Sequence, residues 1–127
     1  MYSDQYLYHS GHEWVFVQDE VCTIGITDFA QSEMEEIVFV ELPQVGQTFE
    51  AGAAIGSVES IKAVAELYTP VGGEVVEINQ ELLRWPAFLN EDPHGKGWMI
   101  KLRLSSPREL DQLLTAEDYK RHIQMDD

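Results

Sequence analysis

The sequence has few basic side chains and a single cysteine. Eight Lys and Arg stand against 23 Asp and Glu in 127 residues, which gives a formal net charge of −15 and a pI near 4.4. Such an acidic surface repels phosphate backbones and anionic lipid, so neither nucleic acid nor a membrane is expected as a partner. Cys22 alone cannot form an internal disulfide or a cysteine-cluster metal site, and it suits a reducing compartment.

Long apolar runs and targeting signals are also missing. No apolar stretch approaches the roughly 20 residues that a transmembrane helix needs. Residues 1–10 contain no basic side chain and no apolar segment typical of a secretory or mitochondrial leader. We therefore expect a cytoplasmic protein. We also expect a single domain, since a chain of 127 residues with 44% hydrophobic side chains can bury one core.

The common catalytic motifs are absent. There is no P-loop, no dinucleotide-binding glycine motif, no nucleophile elbow and no Ser-x-x-Lys. His12 and Glu13 begin like a zinc-protease motif, but Phe16 stands where the second histidine should be. Cys22 is expected to be a small core residue. The four histidines share no predicted helix face: His9, His12, His94 and His122. These features predict a protein without a metal site and without catalysis of its own.

Short segments of strand character alternate with turn signals along most of the chain. Residues 12–17 and 21–26 are predicted to pair across a turn at 18–20, and Thr27 is predicted to cap a short helix. Residues 37–40 are continuously apolar, which is typical of a strand buried on both faces. Further strands are predicted at 48–49, 53–60, 63–68, 74–78 and 97–104.

The end of the chain is predicted to be helical, from about 106 to 125. Ser106 fits an N-cap, with Pro107 at the first helical position and Glu109 completing a capping box. Thr115 begins a second helix. Seven or eight short strands with terminal helices predict a mainly β fold, either a sandwich or a small barrel.

One lysine stands alone in the first two-thirds of the sequence. Residues 1–83 contain 15 Asp or Glu and a single base, Lys62, whereas residues 84–127 contain 8 acids and 7 bases. The two parts carry −14 and −1, which together give −15. This isolation indicates a special role for Lys62.

The surroundings of Lys62 favour an exposed position at the tip of a hairpin. Ile61 and Ala63 flank it between two apolar runs of strand character. A lysine there is a suitable attachment point for a swinging cofactor, because acylation removes its charge and its stem adds reach. The ordinary alternative is a solubilising lysine that pairs with Glu59 or Glu66.

Several segments form a set that is specific in its order and spacing. They are 12–15, 25–28, 30–31, 37–43, 58–63, 73–79, 90–93, 97–98 and the 109–114 helix, together with Pro70. The set resembles the glycine cleavage system H protein family, and the resemblance covers nearly the whole chain. It implies the barrel-sandwich hybrid fold of lipoyl and biotinyl carriers, with short peripheral and C-terminal helices and residues 1–127 as one carrier domain.

The resemblance also implies a cofactor and partners. Lys62 would carry lipoic acid as an amide, attached by lipoylating enzymes. In the family this arm takes an aminomethyl group from a pyridoxal-phosphate glycine decarboxylase and passes it to a tetrahydrofolate-dependent aminomethyltransferase. Dihydrolipoamide dehydrogenase then reoxidises the dithiol. The implied protein is a monomeric carrier that catalyses none of these steps.

Two carboxylates are carried over from family positions as groups that protect the loaded arm. The aminomethyl group is cationic and labile, and Glu13 and Glu66 are expected to hold it in a partly closed cleft. The sequence departs from the family nearby, because Gly11 and Ala65 lack the polar side chains common there. These departures predict weaker or rearranged protection.

Four alternative functions stand beside this one. A lipoate-relay carrier would donate lipoyl groups to other lipoyl domains. Biotinyl carriers resemble Met-Lys-Met and the lipoyl domains of 2-oxoacid dehydrogenases resemble Asp-Lys-Ala, whereas this chain has Ile61, Lys62 and Ala63. In an unmodified binding module, Lys62 would be an ordinary residue.

Overall fold

The computed structural model describes residues 2–124, and β-strands dominate them. Four short α-helices and one 3-10 helix lie between or after the strands: α1 (Asp28–Met34), α2 (Glu81–Arg84), α3 (Phe88–Glu91), the 3-10 helix Pro107–Gln112 and α4 (Ala116–Gln124). The strands of this part of the chain are β1 (Leu7–Tyr8), β2 (Glu13–Gln18), β3 (Val21–Ile26), β4 (Ile37–Glu41), β5 (Thr48–Phe49), β6 (Ala54–Ser60), β7 (Val64–Tyr68), β8 (Gly73–Ile78) and β9 (Ile100–Leu104).

The strands form two antiparallel sheets. The larger sheet has the order β1-β2-β3-β9-β8-β5, and the smaller has the order β4-β6-β7. One continuous apolar cluster joins them, with Val15 and Leu102 contributed by the larger sheet and Val58 and Leu67 by the smaller. The predicted mainly β fold is confirmed, and its two sheets enclose the core of a barrel-sandwich hybrid.

The first three residues of strand β2 are buried, and a second, mainly aromatic cluster covers the outer side of the strand there. Val15 faces the main core, while Trp14 joins a second cluster with Tyr8 and Tyr119. The Trp14 ring lies so close to Gly25 on β3 that a Cβ there would approach it to 2.7 Å. Successive side chains of β2 therefore face different clusters, and α4 packs against β1, the strand that precedes it.

Several local predictions are confirmed. Residues of β2 and β3 pair from Glu13 with Ile26 to Gln18 with Val21, as the hairpin pattern indicated. Thr27 is the N-cap of α1, and its hydroxyl accepts a hydrogen bond from Ala30 N at 3.2 Å. The residue at the end of the predicted C-terminal helical segment, 125, lies outside the described residues.

The predicted capping box at Ser106 is wrong. Its side chain makes no capping hydrogen bond, and the helix that follows is a 3-10 helix. The Glu109 carboxylate instead accepts a hydrogen bond from Gly72 N at 2.8 Å, tying the C-terminal region to the turn before β8. The Glu109 carboxylate thus bonds a backbone N–H group that is distant in the sequence, and it does not cap the start of the helix.

Two strand predictions also need correction. Strand β4 is not buried on both faces, because Val38 and Phe39 are 44% and 52% exposed. A bulge between Ile37 and Phe39 interrupts the pairing with β6, so the apolar run does not follow one regular pleat. Strand β9 begins at Ile100 rather than at 97, and the two-residue β1 was not predicted.

Residues 2–124 contain no helix that is long and apolar enough to cross a membrane.

Candidate functional site

The tip of the β6–β7 hairpin is held by one buried hydroxyl. Ser60 is 5% exposed, and its Oγ accepts hydrogen bonds from Lys62 N at 3.2 Å and Ala63 N at 3.1 Å. Ser60 N also donates to Ala63 O at 2.8 Å, which closes the turn. These bonds fix the backbone of the turn and direct the Lys62 side chain away from the core.

Lys62 is accessible. Half of its side chain is exposed (51%), and its neighbours Ile61 and Val64 are each 67% exposed. Its Nζ lies 3.6 Å from Glu35 Oε2. This ion pair is with Glu35 on the neighbouring segment, whereas the sequence suggested Glu59 or Glu66 as partners. An exposed pair of this kind contributes little to stability and leaves the amine available for modification.

The hairpin tip lies against the C-terminal end of α1. Ile61 N donates to Glu36 O at 3.1 Å, and Glu35 at the C-cap of α1 adopts a positive φ of 65°. A non-glycine residue in this region is unusual, and here it turns the chain from α1 into β4. The lysine is therefore anchored next to the helix that forms one wall of a cleft.

A cleft of about 310 Å³ opens beside the hairpin, between α1, the turn before β2, and strands β6 and β7. This volume is at the lower end of the range of small-molecule sites. Its larger apolar side chains can accept the stem of a flexible ligand. They are Ile26, Phe29, Met34, Val58 and Leu67.

Glu13 supplies a buried carboxylate to the cleft. The residue is 4% exposed, and its Oε1 lies 2.8 Å from His9 Nδ1. His12, immediately before it, has a positive φ of 77°, and its backbone carbonyl oxygen accepts a hydrogen bond from Thr27 N at 3.0 Å. This strained residue connects the turn to β2 and aims Glu13 toward the cleft.

The bond between His9 and Glu13 changes the acidity of the imidazole. It raises the pKa of His9 above its ordinary value, against the lowering effect of partial burial. A Cβ on Gly11 would lie 3.1 Å from both Glu13 Oε1 and His9 Nδ1. Glycine at this position thus leaves room for the contact between the His9 imidazole and the Glu13 carboxylate.

Glu66 lines the same cleft, but it is exposed and lies on β7 opposite Ser57. Glu33 on α1 is a third carboxylate at the cleft, and sequence reasoning missed it. Glu33 follows Phe29 by four residues and therefore lies on the same face of the helix. That spacing was the signal that could have revealed it.

The cleft combines an apolar floor with three carboxylates, which suits a cationic group on an apolar stem. Residues 2–124 contain no cluster of three or more His, Cys, Asp or Glu that could hold a metal ion. Cys22 is fully buried, and burial raises the pKa of its thiol to about 12, so it is unsuited to nucleophilic chemistry. The described groups of the cleft therefore suit the binding of a cationic ligand.

An acyl arm on Lys62 could span this cleft. Lipoic acid joined to the lysine by an amide places about twelve bonds between Cα and the distal sulfur, a reach on the order of 15 Å. The axial distance along α1 from Glu35 to Phe29 is about 9 Å at roughly 1.5 Å per residue. The arm is thus long enough to lie along the cleft or to extend away from it.

The two sheets and the exposed hairpin lysine define a carrier domain of the barrel-sandwich class. The family model described as "Glycine cleavage H-protein" matches residues 6–126. The chain belongs to the glycine cleavage H-protein family.

Relatives and a solved structure agree with this assignment. The chain is 51% identical over 117 residues to the glycine cleavage system H protein of Carboxydothermus hydrogenoformans, covering 92% of this chain and 90% of that protein. It is 53% identical over 116 residues to the Staphylococcus haemolyticus H protein, covering 91% and 92%. The crystal structure of the Mycobacterium marinum H protein superposes with a TM-score of 0.90 at 34% identity, covering 96% of this chain and 98% of that one.

Proposed function

We propose that this chain is the lipoyl-bearing carrier of the glycine cleavage system and that Lys62 bears lipoic acid as an amide. The observation that carries the proposal is the exposed Lys62 side chain on a turn fixed by Ser60, next to a cleft that fits an apolar arm with a cationic end. Membership of the H-protein family supports it.

The chain would act by presenting and sheltering the arm. When attached, the lipoyl group supplies a disulfide that accepts the aminomethyl cargo and later gives up electrons. The fixed hairpin tip holds the anchor at the surface, and the tether keeps the reactive end at a high local concentration near a docked active site. The enzymes served would be glycine decarboxylase, aminomethyltransferase and dihydrolipoamide dehydrogenase, with no catalysis by the carrier.

The carboxylates of the cleft would shelter the cargo between encounters. Glu13 offers a buried negative charge, where electrostatic attraction is little screened, and Glu66 closes the exposed side. The apolar side chains of the floor exclude water from the labile carbon. Docking in the cleft would therefore slow loss of the cargo as ammonia and formaldehyde.

Intact-mass measurement tests the attachment. The unmodified chain incubated with a lipoate ligase, lipoate and ATP should gain one lipoyl group. Lys62→Ala should gain none, whereas Lys96→Ala, which removes an exposed lysine elsewhere, should be modified normally. A folded wild-type chain that stays unmodified while another carrier in the same reaction is lipoylated would refute the proposal.

Exchange of labelled bicarbonate into glycine separates glycine cleavage from a lipoate relay. The lipoylated chain should support this exchange with glycine decarboxylase, because the reaction requires an arm that accepts and returns the aminomethyl cargo. A relay carrier would instead pass its lipoyl group to an acceptor domain in the presence of a transferase. Transfer without exchange would favour the relay and contradict the role in glycine cleavage.

A further inference from the structure

The wall of the cleft contains a pair formed by a histidine and a carboxylate. His9 Nδ1 and Glu13 Oε1 are 2.8 Å apart, and the two side chains are 40% and 6% exposed. Glu13 thus faces the cleft while His9 reaches solvent on the other side of the bond. The buried carboxylate depends on a partner, because a buried charge without one is strongly disfavoured.

We propose that His9 positions Glu13 for the aminomethyl cargo and releases its own proton when the cationic cargo docks against that carboxylate. The inference rests on the proposed function, since it requires an arm on Lys62. His9 is a positioning residue here: it acts through Glu13 and does not touch the cargo.

The location of the proton follows from the geometry. Nδ1 of His9 lies 3.1 Å from Gly11 N and 2.8 Å from Glu13 Oε1, and it cannot accept from the first while donating to the second. The contact with the carboxylate is shorter than the contact with Gly11 N, and a hydrogen bond to a carboxylate is stronger than one between neutral groups. We therefore place a proton on Nδ1. This N–H can donate to Glu13 whether or not Nε2 is also protonated.

The second proton of His9 depends on the charge in the cleft. With the cleft empty, the negative Glu13 stabilises the imidazolium, which is the direction of the pKa increase given above. A docked ammonium would place a second cation on the same carboxylate. The two cations repel, and His9 can relieve this repulsion by losing the Nε2 proton through its exposed side while Nδ1–H still orients Glu13.

Other titratable groups surround the pair, and none of them replaces this link. His12 follows in the same turn, and its Nδ1 lies 2.8 Å from the Tyr119 hydroxyl on α4. His122 on α4 places Nε2 3.2 Å from Ser10 O. Glu33 on α1 and Glu66 on β7 lie at the cleft and would attract the cargo without bonding the imidazole.

Histidine NMR titration measures the link at the residue itself. In the unmodified chain, His9 should titrate above about 6.5, and Glu13→Gln should lower that pKa by roughly half a unit or more. The same titration is then run on lipoylated protein with the arm reduced. It is repeated after formaldehyde and ammonia convert one thiol to the aminomethyl thioether with loss of water. Loading should lower the His9 pKa by roughly 0.5–1 unit.

Cargo release provides a second readout. A shift of that size changes the docking equilibrium about three- to tenfold, so the wild type should release cargo faster at low pH relative to His9→Asn. Asparagine keeps a donor for Glu13 but does not titrate. The ratio of the wild-type release rate to that of His9→Asn therefore separates the titration of His9 from that of the cargo amine. His122→Asn is the matched control and should keep the wild-type pH profile.

The outcomes distinguish this inference from the proposed function. A His9 pKa that Glu13→Gln leaves unchanged would overturn the inference without any reference to the arm. An equal His9 pKa in the reduced and loaded forms would overturn it while leaving the carrier function intact. A Lys62 that cannot be lipoylated would remove the arm and overturn both.

Discussion

The carboxylates of the cleft differ most in their exposure to water. Glu13 is 4% exposed, whereas Glu33 and Glu66 are exposed. A charge at low dielectric attracts an ammonium group more strongly than one at the solvent-facing edge, where water and salt screen it. Glu13 should therefore provide most of the attraction for the cargo, and the two outer carboxylates should restrict its escape.

Replacement of Glu66 should weaken this restriction. We expect Glu66→Ala to release ammonia and formaldehyde from the loaded arm about two- to fivefold faster, since an exposed charge pair contributes about 0.5–1 kcal/mol. Glu59→Ala removes an equal exposed charge from the same hairpin without altering the cleft lining, and it should release cargo at the wild-type rate. Equal rates in all three proteins would remove Glu66 from the protective site.

The sequence alone predicts the residues of the site unevenly. Lys62 is singled out by its isolation among acids, a feature of composition that needs no coordinates, and its proposed role as the attachment site comes from the family resemblance. Glu13 and Glu66 are predicted from family positions, and the structure places both at the cleft. His9 is missed because its four-residue spacing to Glu13 falls in a turn, where helical spacing rules do not apply.

At the scale of elements, the β6–β7 hairpin is the part of the fold that presents Lys62, the proposed attachment site. Its tip depends on Ser60, whose hydroxyl satisfies two backbone N–H groups while the residue remains buried. Removing an acceptor from such a position leaves donors without a partner, which costs more than the bond itself contributes. The Ser60 hydroxyl therefore adds to the rigidity that the backbone hydrogen bonds give the turn.

Ser60→Ala tests this dependence. We expect the free energy of unfolding to fall by about 1–2 kcal/mol in chemical denaturation and the rate of Lys62 lipoylation to fall as well, because the tip loses its fixed shape. Ser57→Ala is the matched control on the same strand, where the hydroxyl bonds the exposed Glu41 at 3.2 Å, and it should change stability by less than about 0.5 kcal/mol. Normal stability and lipoylation in Ser60→Ala would contradict this role.

Elements set by neighbouring residues are predicted well, and those set by distant contacts are not. The turn between β2 and β3 follows from alternation and turn residues, and Thr27 caps α1 through the next turn of chain. Glu109, in contrast, bonds Gly72, which is 37 residues away. The exposure of Phe39 depends on a bulge that no apolar pattern reveals.

At the scale of the whole molecule, the proposed lipoylation would change the charge of an already acidic region. Lys62 is the one base among residues 1–83, which carry a net −14, and conversion of its amine to an amide would make this region one unit more negative. Glu35 would lose its cationic partner at the same time. The modified protein would therefore present a stronger negative field around its arm.

This field should steer the carrier toward basic partner surfaces. We expect association of the lipoylated chain with glycine decarboxylase to slow several-fold between about 0.05 and 0.3 M salt, as measured by stopped-flow, because ions screen long-range attraction. The double variant Glu35→Gln/Glu36→Gln neutralises two exposed acids at the arm, and it should associate more slowly with a weaker salt dependence. The control variant Glu74→Gln/Glu77→Gln also neutralises two exposed acids, but on β8, and it should associate almost normally. Equal slowing by both double variants would show that net charge alone steers the encounter, whereas a difference between them would locate the steering field at the lysine hairpin.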